Sequence, residues 1–203
     1  GGSVSPTTII VFKGQTYGTL PTPTRTGHTF DGWYTSASGG EKVTSSTTVT
    51  NASVHTLYAH WNAYTYTVSY NGNGATGGST ASSTHTYDVE KQLTANGYTR
   101  SYVVTFNNNY TGSTNTTQTA TATFNGWATS ANGAKEYNNQ QTVKNLTTTN
   151  GATVTLYANW TLGSVTLPTP TRAGYTFAGW YPSATGGSKI GDAGEKYTPT
   201  AAT

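Results

Sequence analysis

Internal repetition is the feature that most constrains what this chain can fold into. The segment LPTPTRTGHTFDGWYTSASGG, from Leu20 to Gly40, recurs as LPTPTRAGYTFAGWYPSATGG, from Leu167 to Gly187, and only five of the 21 positions differ. A looser copy of its centre, TFNGWATSANGAKEY, begins at Thr123. Periods of tens of residues are typical of arrays in which each repeat is one small supersecondary unit. We therefore expect several small units instead of one large core.

A second signature closes two of these units. It reads HTLYAHW from His55 to Trp61 and VTLYANW from Val154 to Trp160, and no third copy follows Trp180. The two repeated signatures predict three repeat units. The first unit lacks its opening strand, and the third is truncated and lacks its last strand. The predicted units cover residues 1–61, 62–160 and 161–203.

The opening of a complete unit is clearest in TYTVSYNGNGATGG, from Thr65 to Gly78, an alternating run that ends in Asn-Gly turn signals. Between Arg100 and Phe124 the middle unit carries 19 more residues than the other copies. They predict a hairpin insertion at about 101–122. Because YVVTFNNN, at residues 102–109, echoes YTVSYNGN, a fourth, compressed unit starting there is the alternative. The insertion is the favoured interpretation.

Strand periodicity dominates the rest of the pattern. From Ala152 to Trp160, small and apolar residues alternate with polar ones and Tyr157, as they do in a half-buried strand. No window shows a convincing helical stripe. The predicted fold class is all-β to α+β, predominantly strand with little or no helix.

Composition excludes several classes of protein. Charged residues are only 8% of the chain and its lysines are scattered, so that we expect no nucleic-acid partner. There is no cysteine to form disulfides, and no apolar run is long enough for membrane insertion in this segment. The 15 Tyr and 5 Trp favour folding over disorder. Because Met is absent, we expect the chain to be an internal or processed piece of a longer product.

The pattern LP-x-PTR-x-G-[HY]-TF-x-GWY, followed by GG and TLYA-x-W, resembles the internalin-type B repeat, also called the Listeria-Bacteroides repeat. The resemblance implies small β-grasp-like domains arranged in tandem in bacterial cell-surface or secreted proteins, as stalks or adhesive modules. It also implies an extracellular location, and no catalytic residues belong to the family pattern.

Two sets of aromatic residues follow from the repeated motifs. Large rings are predicted to pack in the core of each unit, because units without disulfides need much aromatic burial. These core residues are Phe30, Trp33, Trp61, Phe124, Trp127, Trp160, Phe177 and Trp180. The tyrosines beside them are the candidate binding residues, provided that they line one exposed face. They are Tyr34, Tyr58, Tyr157 and Tyr181.

Nothing in the pattern predicts an enzyme. Asp88 and Glu90 share one strand face, but they stand in the polar stretch TYDVEK and are expected to be solvated. The four histidines have no metal-ligand spacing, and His28 and His60 are replaced by Tyr175 and Asn159 in the equivalent copies. We therefore expect no catalytic residue, no metal site and no cofactor.

The sequence favours a structural role, in which tandem units form a spacer, stalk or fibre segment whose partners are neighbouring repeats of the same chain. The alternative is an adhesive module that recognises a glycan or a host protein through exposed Tyr and Thr faces. A further hypothesis is a head-to-tail homopolymer, in which a neighbouring copy supplies the missing last strand of the third unit.

Overall fold

The computed structural model describes residues 1–199, and within them the chain is built from strands without any helix. This confirms the all-β form of the predicted fold class. No helix of the described chain is therefore long and apolar enough to cross a membrane. The strands are β1 (His28–Tyr34), β2 (Lys42–Val43), β3 (Tyr58–Ala63), β4 (Thr65–Asn71), β5 (Gly77–Gly78), β6 (Ser83–Thr86), β7 (Lys91–Gln92), β8 (Tyr98–Thr99), β9 (Ser101–Phe106), β10 (Thr116–Thr121), β11 (Thr123–Ala128), β12 (Thr142–Val143), β13 (Thr153–Thr161), β14 (Val165–Thr166) and β15 (Lys196–Tyr197).

The strands form several small sheets. The largest has the order β11-β13-β4-β6, and a three-stranded sheet has the order β2-β1-β3. The remaining sheets are the strand pairs β9-β10, β7-β12, β14-β15 and β5-β8. Each pair with a determined register is antiparallel.

The chain divides into two compact units. The first comprises Gly1–Ser69, Ser82–Leu93 and Thr142–Val154, and the second comprises Tyr70–Ala81, Thr94–Gln141 and the described residues from Thr155 onward. The predicted repeat boundaries at residues 61 and 160 remain a prediction.

The repeated TF-x-GW motif forms the same local structure twice. In β1, Phe30 lies opposite Trp61 of β3, and the register shifts before Gly32. In β11, Phe124 lies opposite Trp160 of β13, and the register again shifts before the glycine of the motif. A side chain at this irregularity would collide with the lysine that crosses it, since a Cβ on Gly32 would lie 2.4 Å from Cε of Lys42. The glycine therefore lets the strand bend where a side chain passes over it.

The third copy of the motif forms no ladder of this kind. Residues 176–181 contain only an isolated bridge from Trp180 to Gly191. In the other two copies, a strand of the TLYA-x-W type pairs with the motif, and the described chain contains no third strand of that type. Residues 176–181 therefore form no strand.

Side chains alternate between the two faces of each strand, and this alternation determines which residues are buried. In the first unit, β4 buries Tyr66 and Val68 while the residues between them stay partly exposed. Other buried residues of this unit are Val43, Val49, His85, Leu93 and Val143. In the second unit, Trp127, Leu156 and Ala158 are fully buried.

The segment predicted as an insertion forms an antiparallel hairpin of β9 and β10, in which Phe106 lies opposite Thr116. It does not stand apart from the other repeats. Tyr102, Phe106 and Ala120 are buried in one cluster with Val165, Leu167 and Trp180. The hairpin therefore shares its core with the third copy of the motif.

Candidate functional site

The Phe and Trp residues of the motif contact one another within each copy. The ring centroids of Phe30 lie 5.5 Å from both Trp33 and Trp61. Phe124 lies 4.9 Å from Trp127 and 5.6 Å from Trp160, and Phe177 lies 5.4 Å from Trp180. These pairs adopt the edge-to-face geometry that aromatic rings favour. Trp127 and Trp180 are buried, and the other six predicted core residues are half-buried.

The indole N–H of the motif tryptophan binds a proline carbonyl in two copies. Trp33 Nε1 donates to the oxygen of Pro21, and Trp180 Nε1 donates to that of Pro168, both at 2.9 Å. The middle copy has no LPTP segment ahead of its motif. Accordingly, Nε1 of Trp127 is buried without a hydrogen-bond acceptor from the protein.

A strand with the pattern Tyr-x-Val-x-[Tyr/Phe]-Asn packs against the motif tryptophan in two copies. Tyr70 of β4 lies 4.6 Å from Trp127, and Phe106 of β9 lies 5.0 Å from Trp180. The two strands match at a constant offset of 36 residues. In structural terms, β9 therefore repeats β4.

The turns that follow these strands repeat as well. Asn71 Oδ1 accepts a hydrogen bond from the backbone N–H of Asn73, and Asn107 Oδ1 does so from that of Asn109, both at 2.8 Å. The second asparagine of each turn has a positive φ, 47° for Asn73 and 55° for Asn109. Asparagine tolerates this backbone conformation better than most residues. The likeness of the two segments is visible in the sequence, but the packing of β9 against the third motif is not.

A groove of about 1120 Å³ lies in the second unit. One wall is β9 with the turn that follows it, and the other is the segment 170–187. Arg172 is the one charged residue among the described residues that line it, and its guanidinium lies 3.8 Å from the ring centre of Tyr175 and 5.0 Å from that of Tyr110. The groove is otherwise lined by apolar, aromatic and uncharged polar residues.

The candidate binding tyrosines of the first copy are adjacent. Tyr34 of β1 lies directly opposite Tyr58 of β3. Tyr34 is half-buried, stacks on His60 with ring centroids 3.9 Å apart, and donates its hydroxyl hydrogen bond to Asp31. This bond raises the pKa of Tyr34 and lowers that of Asp31. Tyr58 is 41% exposed and is therefore the accessible member of the pair.

The candidate tyrosines of the second unit have different surroundings. Tyr157 of β13 lies opposite Ala128, so that the middle copy has no tyrosine pair. Tyr181 is 43% exposed and lies at the edge of the groove. A binding role for the four tyrosines remains a prediction.

Asp88, one of the two carboxylates considered for acid-base chemistry, makes hydrogen-bond and ion-pair contacts within the protein. Asp88 accepts a hydrogen bond from the side-chain amide of Asn145 at 3.0 Å, and Arg25 lies 3.4 Å away. The Asn145 bond is the main cause that lowers the pKa of Asp88, with Lys144 and His28 contributing. A general acid at neutral pH needs a raised pKa, and Glu90 beside it is exposed. Across residues 1–199, no group of three His, Asp or Glu side chains is placed to hold a metal ion.

These observations define a class of protein: tandem all-β repeats, each built around a Phe-Trp motif that a TLYA-x-W strand or a Tyr-x-Val strand completes. The family model of the Listeria-Bacteroides repeat domain matches residues 1–60 and 161–203, which is more than half of the chain. The chain belongs to this family, as the sequence motifs predicted. The family is typical of bacterial surface proteins and is generally non-catalytic. No solved structure matches the chain.

Proposed function

We propose that this chain is a non-catalytic structural segment of a bacterial cell-surface or extracellular protein, and that it acts as a spacer or stalk. The observation that supports this role most directly is the repetition of one local core. Phe30 with Trp33, Phe124 with Trp127 and Phe177 with Trp180 form the same edge-to-face contact in three copies. Lengthening an array of this kind requires only that another copy fold and contact its neighbour.

The order of the largest sheet supports a β-grasp-like topology for the complete repeat. Strand β4 opens the middle repeat and β13 closes it, and the two lie side by side in the sheet. Pairing of the first strand with the last is the arrangement that such a fold requires. The helix that usually crosses a β-grasp sheet is absent from the described residues, so the proposed topology is a strand-only version.

Surface display tests the spacer role. An epitope tag is joined to a cell-wall anchor through no insert, through one copy of the 203-residue chain, or through two copies in series. We expect antibody access to the tag to rise with each copy. The matched control is a Gly-Ser linker of equal length, which forms a flexible coil and should extend the tag less. Equal access with one copy, two copies and the flexible linker would remove the basis for the proposal.

The proposal has a second form, in which the chain is a fibre subunit and its copies associate head to tail. Light scattering over a concentration series separates the two forms of the proposal. A constant mass supports a spacer within one chain, and open-ended growth of the mass supports a filament.

A second candidate is an adhesive module that recognises a glycan or a host protein. The observation that favours it is the adjacency of Tyr34 and Tyr58, because stacked and exposed rings are common contacts for sugars. Binding to a glycan array should then fall at least about fivefold in Tyr58→Ala. The matched control is Val54→Ala, since Val54 is fully exposed in the same unit. Absence of specific binding by the unmodified chain would leave only the structural role.

A further inference from the structure

A single residue connects the sheet of the first motif copy to the opening strand of the middle repeat. Strand β3 ends at Ala63 and β4 begins at Thr65, so that Tyr64 is the whole connection. The strands on its two sides belong to different sheets. Consecutive repeats move relative to each other unless contacts across their connection prevent it. The contacts around Tyr64 therefore decide whether the chain bends at this point.

The backbone of Tyr64 is bound from both sides. Its N–H donates to the oxygen of Gly27, in the loop that precedes β1, at 2.8 Å. Its oxygen accepts a hydrogen bond from the N–H of Tyr87, in the turn that follows β6, also at 2.8 Å. Rotation about the backbone bonds of Tyr64 would break at least one of these hydrogen bonds, at a cost in free energy.

The loop and the turn also pack against each other directly. The ring of Tyr87 occupies the space that a Cβ on Gly27 would fill. It also makes an edge-to-face contact with His28, at 5.8 Å between ring centroids, and His28 is buried. Gly27 is required here for two reasons, because its φ of 71° also favours glycine.

A polar cluster completes the contact at the surface. Arg25 Nη2 donates to Oδ2 of Asp88 at 3.4 Å. Asn145 binds Asp88 twice, since its Nδ2 donates to Oδ1 of Asp88 at 3.0 Å and its Oδ1 accepts from the backbone N–H of Asp88 at 2.6 Å. Asp88 and Asn145 both have a positive φ, 64° and 54°. Residues other than glycine keep this backbone conformation where surrounding contacts hold it, often at functional positions.

We propose that these contacts form a rigid inter-repeat clamp, which holds the first motif copy and the opening strands of the middle repeat at one fixed angle. The partner of each side is the neighbouring repeat of the same chain. The proposal rests on the spacer role and adds a mechanical property to it, because a stiff spacer projects farther than a flexible one of equal length. The clamp consists of Arg25, Gly27, His28, Tyr64, Tyr87, Asp88 and Asn145.

Distances between spin labels test the clamp on the full 203-residue chain. Because the chain has no cysteine, substitution of exposed residues places the labels. A pair at Ser46→Cys and Thr148→Cys spans the connection, and a pair at Ser46→Cys and Thr29→Cys lies within the first motif copy. Double electron–electron resonance gives the distribution of distances for each pair. We expect the two distributions to agree in width within about 1.5-fold.

Gly27→Ala should loosen the clamp. The added Cβ collides with the ring of Tyr87, so that the distribution across the connection should become at least about twofold wider. The distribution within the first motif copy should not change. Gly18→Ala is the matched control, because Gly18 lies in the same compact unit and has a φ of 66°, but no atom lies near the added Cβ. It imposes similar backbone strain without the collision and should leave both distributions as they are.

Asp88→Gly is a second, independent variant. It keeps the positive φ accessible but removes the carboxylate that binds Arg25 and Asn145, and should widen the distribution across the connection at least about 1.5-fold. Its control is Asp31→Ala, which removes a different ion-paired carboxylate of the same unit, 3.5 Å from Lys42. Thermal melting of each variant distinguishes a loosened clamp from lost folding.

Either of two results would overturn the proposal. In the first, the unmodified chain has a distribution across the connection more than about twice as wide as that within the first motif copy. In the second, folded Gly27→Ala and Asp88→Gly chains keep the width of the unmodified chain. The surface-display experiment has a separate outcome, because antibody access can rise with copy number even when this connection bends. Equal access there, together with narrow distributions here, would contradict the spacer role and leave the clamp in place.

Discussion

Phe106 and Trp180, which are far apart in the sequence, pack with ring centroids 5.0 Å apart and an interplanar angle of 60°. The pair reproduces the contact of Tyr70 with Trp127, at 4.6 Å. The core of the third motif therefore depends on β9, a strand that precedes the motif of the middle repeat in the sequence. A hairpin whose position suggests an insertion supplies part of this core.

The first prediction concerns this contact. Phe106→Ala should lower the free energy of unfolding of the second unit by about 3–5 kcal/mol, because it leaves a cavity beside Trp180 in a buried cluster. Urea unfolding followed by tryptophan fluorescence measures the loss. Val103→Ala is the matched control on the same strand, since Val103 points outward, and it should change stability by no more than about 0.5 kcal/mol. Equal effects of the two substitutions would contradict the assignment of Phe106 to the core.

The second prediction concerns the glycine of the middle motif. A Cβ on Gly126 would lie 2.3 Å from the carbonyl oxygen of Tyr137, and the residue has a φ of 143°. Gly126→Ala should therefore destabilise the protein by at least about 2 kcal/mol, through collision and backbone strain together. Gly112→Ala separates the two causes, because Gly112 has a φ of 83° but no atom near the added Cβ. Its expected cost is about 1 kcal/mol. Thermal melting of both variants gives the comparison.

The third prediction concerns pH. His85 is fully buried, stacks on Tyr66 with ring centroids 5.4 Å apart, and has no hydrogen-bond partner at Nδ1. Burial lowers its pKa below 6.5, and the charge of Lys91 adds to this effect. Because the unfolded chain binds a proton that the folded chain excludes, stability should fall as the pH drops below about 6.5, by at most about 1.4 kcal/mol per pH unit.

Denaturant unfolding at pH values from 7.5 to 5 measures this dependence. His85→Phe keeps an aromatic ring against Tyr66 but cannot titrate, so its stability should vary less over the same interval. The pKa values of Asp31 and Asp88 are lowered from 3.8, and their contributions are lost only at more acidic pH. An unchanged pH dependence in His85→Phe would show that other groups cause it.

The fourth prediction concerns the asparagine turn. Asn73→Ala removes the hydrogen bonds to Ala131 and Ala158 and places a Cβ at a φ of 47°. We expect a loss of about 2–4 kcal/mol. Asn73→Gly relieves the backbone strain but not the loss of the bonds, and should recover about 1 kcal/mol. Identical melting temperatures for the two variants would show that the positive φ costs nothing there.

Local patterns predicted much of this fold. The alternation around Leu156 predicted β13. The predominance of strands, with little or no helix, followed from the absence of helical periodicity. These features depend on side chains within a few residues of each other, which is the range that a periodic pattern describes.

Pairing between distant segments could not be predicted in the same way. The echo between residues 66–73 and 102–109 identified a second strand of the same type, but not the motif against which it packs. That choice depends on which tryptophan the chain path brings near, and sequence periodicity carries no information about it. The groove, the Tyr34–His60 stack and the unsatisfied Nε1 of Trp127 are likewise consequences of three-dimensional placement.

The shared core of the hairpin and the third motif makes a closed loop of the chain between them. Residues 123–161, which include β11 and β13, lie between the two halves of the cluster formed by Phe106 and Trp180. Tension applied at the chain ends therefore cannot lengthen this loop until the cluster opens. In a chain under tension, the segment that contains the TFNGWA and TLYANW strands would therefore lengthen only after the packing of Phe106 on Trp180 is lost.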